Sequence, residues 1–196
     1  LNLAAAVATN VSLVLGTVAL LVAWRAEAEQ KLRTLAMTDG LTGLLNQRSF
    51  ALQGASLLAH AARHQLPVTA LMLDVDHFKQ INDTRGHEAG DRALQLFARL
   101  LGDTCRSGDL TGRLGGEEFG VLLLHNSAPA GMAFDRRLRR RLHAASVTEL
   151  GFALDYSAGL ATPAPGETDL AALMARADRA LYEAKTAGRG RLMTAS

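Results

Sequence analysis

The sequence predicts an α/β sandwich, with helices on both faces of a central mixed sheet and a long helix in front of it. Three observations predict this class. Helix-like and strand-like apolar segments take turns along residues 49–186, the order expected when helices cover a sheet. Two adjacent glycines, Gly115 and Gly116, separate two strand-like runs, which marks a hairpin and requires an antiparallel pair in that sheet. Hydrophobic residues make up 48% and charged ones 20%, which suits a packed core and argues against a disordered chain.

From the N-terminus, residues 1–24 carry no charge. As a helix they would extend about 36 Å at ~1.5 Å per residue, against a hydrocarbon thickness of ~30 Å. Trp24 suits an interface, and Arg25, Lys31 and Arg33 follow it. The expectation is a transmembrane helix over residues 1–24 with everything after it on the cytoplasmic side. A helix buried against another domain is the competing reading. The run is too long, and lacks the basic start, for a signal peptide. The chain begins with Leu1 rather than Met, so a fragment of a longer protein is expected. Residues 25–37 read as a connecting helix with a favourable Glu27–Lys31 pair at i,i+4, suited to pairing with a second copy. Thr38-Asp39-Gly40 breaks that pattern and opens a unit over residues 38–196.

Residues 49–64 read as a helix, with Phe50, Leu52, Leu57 and Leu58 at helical spacing and Pro67 beyond its end. Residues 68–75 are a short apolar run, the mark of a central strand. Residues 88–101 form an amphipathic helix through Leu94, Phe97, Leu100 and Leu101. Residues 110–114 and 119–124 are the hairpin strands. Residues 129–143 read as an Arg-rich polar helix, 152–161 as a strand, and 170–186 as a helix ended by Gly188.

The net charge of +2 gives no broad basic field, so a nucleic-acid polymer is not an expected partner. The lone Cys105 excludes an internal disulfide and suits a reducing compartment. Lysine occurs only at positions 31, 79 and 185, and the last two fall in the segments that carry chemistry.

Asp74 and Asp76 lie two apart on a predicted strand and so face one side of its end. Paired carboxylates repel unless a cation is near, and Mg²⁺ accepts one or two carboxylates plus phosphate oxygens. A pair of solvated turn acids is the plain alternative. An EF-hand is excluded, because Phe78 stands where a ligand is needed. The second cluster, Gly115-Gly116-Glu117-Glu118, places two acids at a tight hairpin tip, against the usual depletion of acids in strands. Alone it is no more distinctive than a charged turn. Between the clusters, Lys79 offers phosphate a point charge, Asn82 and Asp91 offer an amide and a carboxylate that suit a guanine edge, and Gly86 and Gly90 allow close backbone approach. No Walker A lysine follows these glycines.

In this order the motifs resemble the GGDEF domain of diguanylate cyclases. They are Asp74-x-Asp76-x-Phe78-Lys79-x-x-Asn82-Asp83-x-x-Gly86-His87-x-x-Gly90-Asp91, then Gly115-Gly116-Glu117-Glu118-Phe119 in the GGEEF form. The opening Asp39-Gly40-Leu41-Thr42-Gly43-Leu44-Leu45-Asn46-Gln47-Arg48 and the closing Ala177-Asp178-x-Ala180-Leu181-Tyr182-x-Ala184-Lys185-x-x-Gly188-Arg189 match as well. The likeness covers residues 38–193. It departs at Gln47, where the family usually has arginine.

The resemblance implies a palm-like nucleotide cyclase fold and a homodimer that condenses two GTP into cyclic di-GMP and two pyrophosphate. It implies Mg²⁺ or Mn²⁺ held by Asp74, Glu117 and the Val75 carbonyl, with Glu117, Glu118 and Lys79 as catalytic residues. Asn82 and Asp91 would read guanine, with Phe78, His87, Gly115 and Gly116 around the nucleotide and Lys185 and Arg189 on the triphosphate. Arg106-x-x-Asp109, followed by Gly115 after the family's interval, would form an inhibitory site for the product with help from Arg137; the rest of the basic run 136–141 reads as a solvated helix face. Joined to the transmembrane reading, this places the protein at the bacterial inner (cytoplasmic) membrane with its catalytic domain in the cytoplasm. An inactive GGDEF-like module that binds GTP or cyclic di-GMP is the alternative.

Overall fold

The computed structural model describes residues 2–35 and 37–195, with side chains described at 10–25 and 27 in the first helix. The chain divides into two compact units, Leu1–Met37 and Thr38–Ser196.

The first unit is one helix, α1 (Leu3–Leu35), continuous where the sequence suggests two segments. Thr17 stays in the helix by donating its Oγ1 hydroxyl to Val14 O at 2.8 Å. The transmembrane and membrane-localisation expectations are overturned: among the described residues, no helix is long and apolar enough to cross a membrane. Thr9, Asn10, Ser12, Gly16 and Thr17 interrupt its apolar character. The Lys31 side chain of the expected Glu27–Lys31 pair lies outside the described residues.

The second unit runs β1 (Leu45–Asn46), α2 (Gln47–Arg63), β2 (Val68–Val75), α3 (Phe78–Arg85), α4 (His87–Thr104), β3 (Leu110–Gly115), β4 (Glu118–Leu124), α5 (Ala128–Leu150), β5 (Tyr156–Ala161), α6 (Leu170–Thr186) and β6 (Leu192–Thr194). The sheet order is β1-β3-β4-β2-β5-β6. β2 is antiparallel to both β4 and β5, while the outer pairs β1–β3 and β5–β6 are parallel, so the sheet is mixed as expected.

Every residue of β2 is buried because helices cover both its faces. Leu71, Leu73 and Val75 point into a core with Phe97 and Leu101 of α4, Leu138 and Leu142 of α5, Phe119 and Tyr156. Ala70 and Met72 point into a second core with Phe50 and Leu58 of α2 and Leu173 and Leu181 of α6. Phe97 packs against Phe119 and Tyr156 with ring centroids 4.9 and 5.2 Å apart, an arrangement favoured by aromatic quadrupoles.

Two helices are capped by their own sequence. Asn46 accepts from Ser49 N at 2.9 Å to start α2, and Asp169 accepts from Ala172 N at 3.1 Å to start α6. α6 lies directly on β5 at Gly159: a β-carbon there would overlap Ala177 O and Leu181 N, the helix backbone itself. The sheet thus fixes the helix that carries Lys185.

Candidate functional site

The C-terminal end of β2 and the β3–β4 hairpin meet at one place. Asp74 is in register with Glu118 of β4 on one side and Ser157 of β5 on the other. The hairpin turns through Gly116 and Glu117, and Gly116, at φ +48°, takes the left-handed conformation that the first position of such a turn requires. The tip then folds onto β2, where Val75 N donates to Glu117 O at 3.3 Å.

Asp74 is 5% exposed. Burial raises its carboxyl above the ordinary value; Lys185, with Nζ 2.7 Å from Oδ2, opposes this, and the charges of Glu117 and Glu118 raise it further. Acids from strand and hairpin thus act on one another, with Lys185 as the contacting counter-charge of Asp74. Among the described residues, no group of three or more His, Cys, Asp or Glu side chains is gathered as a metal cage. The expected donors, two carboxylates and a main-chain carbonyl, are a smaller set, with room for phosphate oxygens.

Asp76 behaves differently from its neighbour. It is also buried, but Oδ1 accepts from Ser157 Oγ at 2.8 Å and Oδ2 from Gly190 N at 2.9 Å.

α3 and α4 make the adjoining corner. α3 begins after His77, itself left-handed at φ +57°, and passes to α4 through Gly86. Gly90 packs beneath Asn82: a β-carbon at position 90 would overlap Asn82 Oδ1 and approach Phe78 Cζ at 3.2 Å. Asn82 Oδ1 is buried without a hydrogen-bond partner, a cost of about 1–3 kcal/mol that a donor from a ligand would remove. Lys79, His87 and Asp91 are exposed on these two helices, and Arg189 is exposed in the turn after α6.

Arg113, which opens the hairpin segment and to which the sequence alone assigns no role, braces the hairpin. Its Nε donates to Gly116 O at 2.9 Å and its Nη1 to Asp39 Oδ1 at 3.1 Å. Asp39 also accepts from Thr42 N at 2.9 Å and Thr42 Oγ1 at 2.6 Å. Burial opposes ionisation of Asp39, but the bonds from Thr42 and Arg113 prevail and hold its carboxyl below the usual range. The opening motif is thereby tied to the hairpin tip. Gln47 is exposed at the start of α2.

Arg106, Asp109 and Arg137 line a second, separate pocket of about 110 Å³ with Asn126 and Phe134. Asp109 is fixed by Arg106 N at 2.8 Å and Leu124 N at 3.0 Å, and Arg137 donates to Thr104 O at 3.0 Å. Beside it, burial and the Asp109 charge push the Cys105 thiol up to about 12, which keeps it protonated and unreactive. The rest of the 136–141 run is not simply a solvated face. Arg139 bonds Asp135 at 3.1 Å and Asp155 at 2.6 Å, and Arg141 bonds Thr104 Oγ1 at 3.0 Å.

Comparison with known proteins places these features in a family. Residues 36–191 match the family described as "Diguanylate cyclase, GGDEF domain". "Diguanylate cyclase DgcP" of Pseudomonas aeruginosa is 41% identical over 165 residues, 83% of this chain and 24% of that protein. "Probable diguanylate cyclase DgcC" of Escherichia coli K12 is 34% identical over 172 residues, 87% of this chain and 46% of that protein. The chain therefore spans less than half the length of these curated relatives. The crystal structure of the coiled coil and GGDEF domain of DgcB from Caulobacter crescentus, in complex with c-di-GMP, superposes with a TM-score of 0.76 at 31% identity, covering 92% of this chain and 97% of that one.

Proposed function

Since the chain belongs to the GGDEF family of diguanylate cyclases, we propose that it condenses two GTP molecules into cyclic di-GMP, each 3′-hydroxyl attacking the other nucleotide's α-phosphate and expelling pyrophosphate. The observation that carries this reading is the buried Asp74, paired with Lys185 at 2.7 Å and lying where the charges of Glu117 and Glu118 act on it. Such a cluster suits Mg²⁺ or Mn²⁺, with Asp74, Glu117 and the Val75 carbonyl as donors. When bound, the ion supplies charge neutralisation for the phosphoryl oxygens.

The chain's own residues do the rest. Asn82 and Asp91 bind the guanine edge, the former with its unpaired oxygen, and Phe78 and His87 flank the nucleotide. Gly115 and Gly116 let the hairpin backbone approach the phosphates. Lys185 and Arg189 hold the triphosphate, and Lys79 offsets charge that develops during transfer. Glu117 takes the proton of the attacking hydroxyl, with Glu118 beside it.

Each 38–196 domain binds one GTP, so the reaction needs a homodimer with the site split across a twofold axis. α1 supports this: it exposes apolar residues, Val11, Leu15, Val18 and Val22 among them, that a second copy of the helix would cover. The Arg106, Asp109 and Arg137 pocket is proposed to bind cyclic di-GMP and to restrain the enzyme, its guanidinium groups suited to phosphate and guanine.

The test is incubation of the protein with GTP and Mg²⁺ and identification of the product. Cyclic di-GMP from the unaltered protein, and none from Glu117→Gln, is expected. A chain that binds GTP without forming product would be a binding module and not a cyclase.

A further inference from the structure

Asp76 is 6% exposed and lies two residues beyond Asp74, yet both its oxygens are taken by donors of the protein. Through the Gly190 amide it reaches across 114 positions to the turn that follows α6. That turn is unusual. Gly188, Arg189 and Gly190 have φ of +105°, +62° and +58°, and a left-handed arginine persists only where its surroundings impose the conformation.

The surroundings are specific. Arg189 N donates to Ala184 O at 3.0 Å, closing the end of α6, and Ala158 N donates to Arg191 O at 2.9 Å, joining the turn to β5. Between these two ties, the Gly190 amide is held by Asp76. On its other side the turn sits against Asp155: a β-carbon at position 190 would come 2.9 Å from Asp155 Oδ2. Asp155 is itself fixed by Arg139 Nη1 at 2.6 Å, and its backbone oxygen accepts from Asp76 N at 3.0 Å.

We propose that Asp76 is a positioning residue for triphosphate binding: it fixes the turn at residues 188–191, and so aims Arg189 at the phosphates, and it does not ligate the metal. The two acids of the β2 end thus divide their tasks. Asp74 belongs to the acid cluster; Asp76 is spent on the backbone that presents a phosphate-binding arginine. The inference rests on the phosphate role proposed above for Arg189.

The experiment compares the unaltered protein with Asp76→Ala, Asp76→Asn and Gly190→Ala. Equilibrium binding is measured with Mg²⁺ for a GTP analogue bearing a methylene between the α- and β-phosphates, and for GMP, which shares the base but carries one phosphate. Asn keeps an acceptor for the Gly190 amide while its own amide donates to Ser157 Oγ. Asp76→Ala is expected to weaken the GTP analogue by about tenfold and to leave GMP within about twofold, the removal of one positioning bond being of that size. Asp76→Asn should restore most of the affinity, which a metal ligand would not allow. Gly190→Ala leaves both acids intact and should repeat the Asp76→Ala pattern, so the two milder variants decide the matter if Asp76→Ala does not fold. Equal weakening for GMP and the GTP analogue, unchanged affinity in Asp76→Ala and Gly190→Ala, or an Asp76→Asn variant as impaired as Asp76→Ala would each overturn the proposal. An unaltered protein that binds GMP and the GTP analogue equally, with Arg189→Ala also silent, would instead remove the phosphate reading of Arg189, and this proposal with it.

Discussion

The Lys185 ammonium lies 2.7 Å from Asp74 Oδ2, so the last turn of α6 delivers a cation to the buried acid of β2. The pair is 31% and 8% exposed at its side chains, and the attraction is therefore little screened by solvent. Its effect on stability has a definite sign. Burial raises the Asp74 carboxyl in the folded state, so folding is weakened as pH rises from its ordinary value of 3.8 through the raised one, and Lys185 limits that weakening. Lys185→Met should lower stability by about 1–3 kcal/mol at neutral pH and by almost nothing near pH 3, where Asp74 is protonated in either protein. Urea titrations across this range check the sign. Added Mg²⁺ should return part of the stability in the variant.

The pocket of Arg106, Asp109 and Arg137 predicts a separation of effects. Arg106→Ala removes the guanidinium and keeps the backbone amide that holds Asp109. Affinity for cyclic di-GMP at this pocket should fall by about tenfold or more, the worth of one or two charge-assisted bonds. The initial rate of GTP turnover should stay within about twofold, while the slowing of the reaction as product accumulates should disappear. Progress curves with and without added cyclic di-GMP distinguish the two.

At the α3–α4 corner, Gly90→Ala puts a methyl group where Asn82 Oδ1 lies. The side chain of Asn82 must then swing away from its present position. Affinity for GTP and for GMP should fall together, by about tenfold, because the hydrogen bond removed is one to the base, which both nucleotides carry. Thermal unfolding should move by only a few degrees, and a variant that binds both nucleotides normally would remove Asn82 from guanine recognition.

Arg113 joins Asp39 to the hairpin tip, and its removal should loosen that tip. Arg113→Ala should cost about 1–2 kcal/mol of stability near neutral pH, since it dissolves a partly buried pair. Asp39 is held below 3.8 in the folded state, so its contribution is present above that value and fades as pH falls through the lowered one. The variant should therefore lose its disadvantage in acid. Cyclic di-GMP formation should drop by more than tenfold, while cyclic di-GMP binding at the Arg106 pocket is unaffected; product analysis and direct binding measure the two separately.

Elements with a strong local signal are legible in the sequence. β2 reads as an apolar run because it is buried on both faces, and the α6 bounds agree with the sequence reading because Asp169 caps one end and the apolar period runs to the other. α3 escapes notice because it is short and none of its residues is fully buried, so Phe78 and Ile81, which touch the core, are too few to show a period. β1 and β6 are two and three residues long, too short to show a period, and exist only through pairing with β3 and β5. In α5, Arg139 sits in a basic run that reads as a solvated face, yet one of its partners, Asp155, comes from beyond the helix. The acids at 74, 117 and 118 stand out by type and spacing. That Lys185 meets Asp74, or that Asp39 meets Arg113, 74 positions apart, depends on topology, which no local pattern encodes.

Gly159 carries a consequence for how this protein tolerates variation. Because α6 rests main chain to main chain on β5 at that point, the distance from Lys185 to the acids is gauged by backbone and not by interchangeable side chains. The outer surface of α6 is free to drift in sequence, but its seat is not, and the lysine's reach is inherited from a hydrogen atom on the strand beneath the helix.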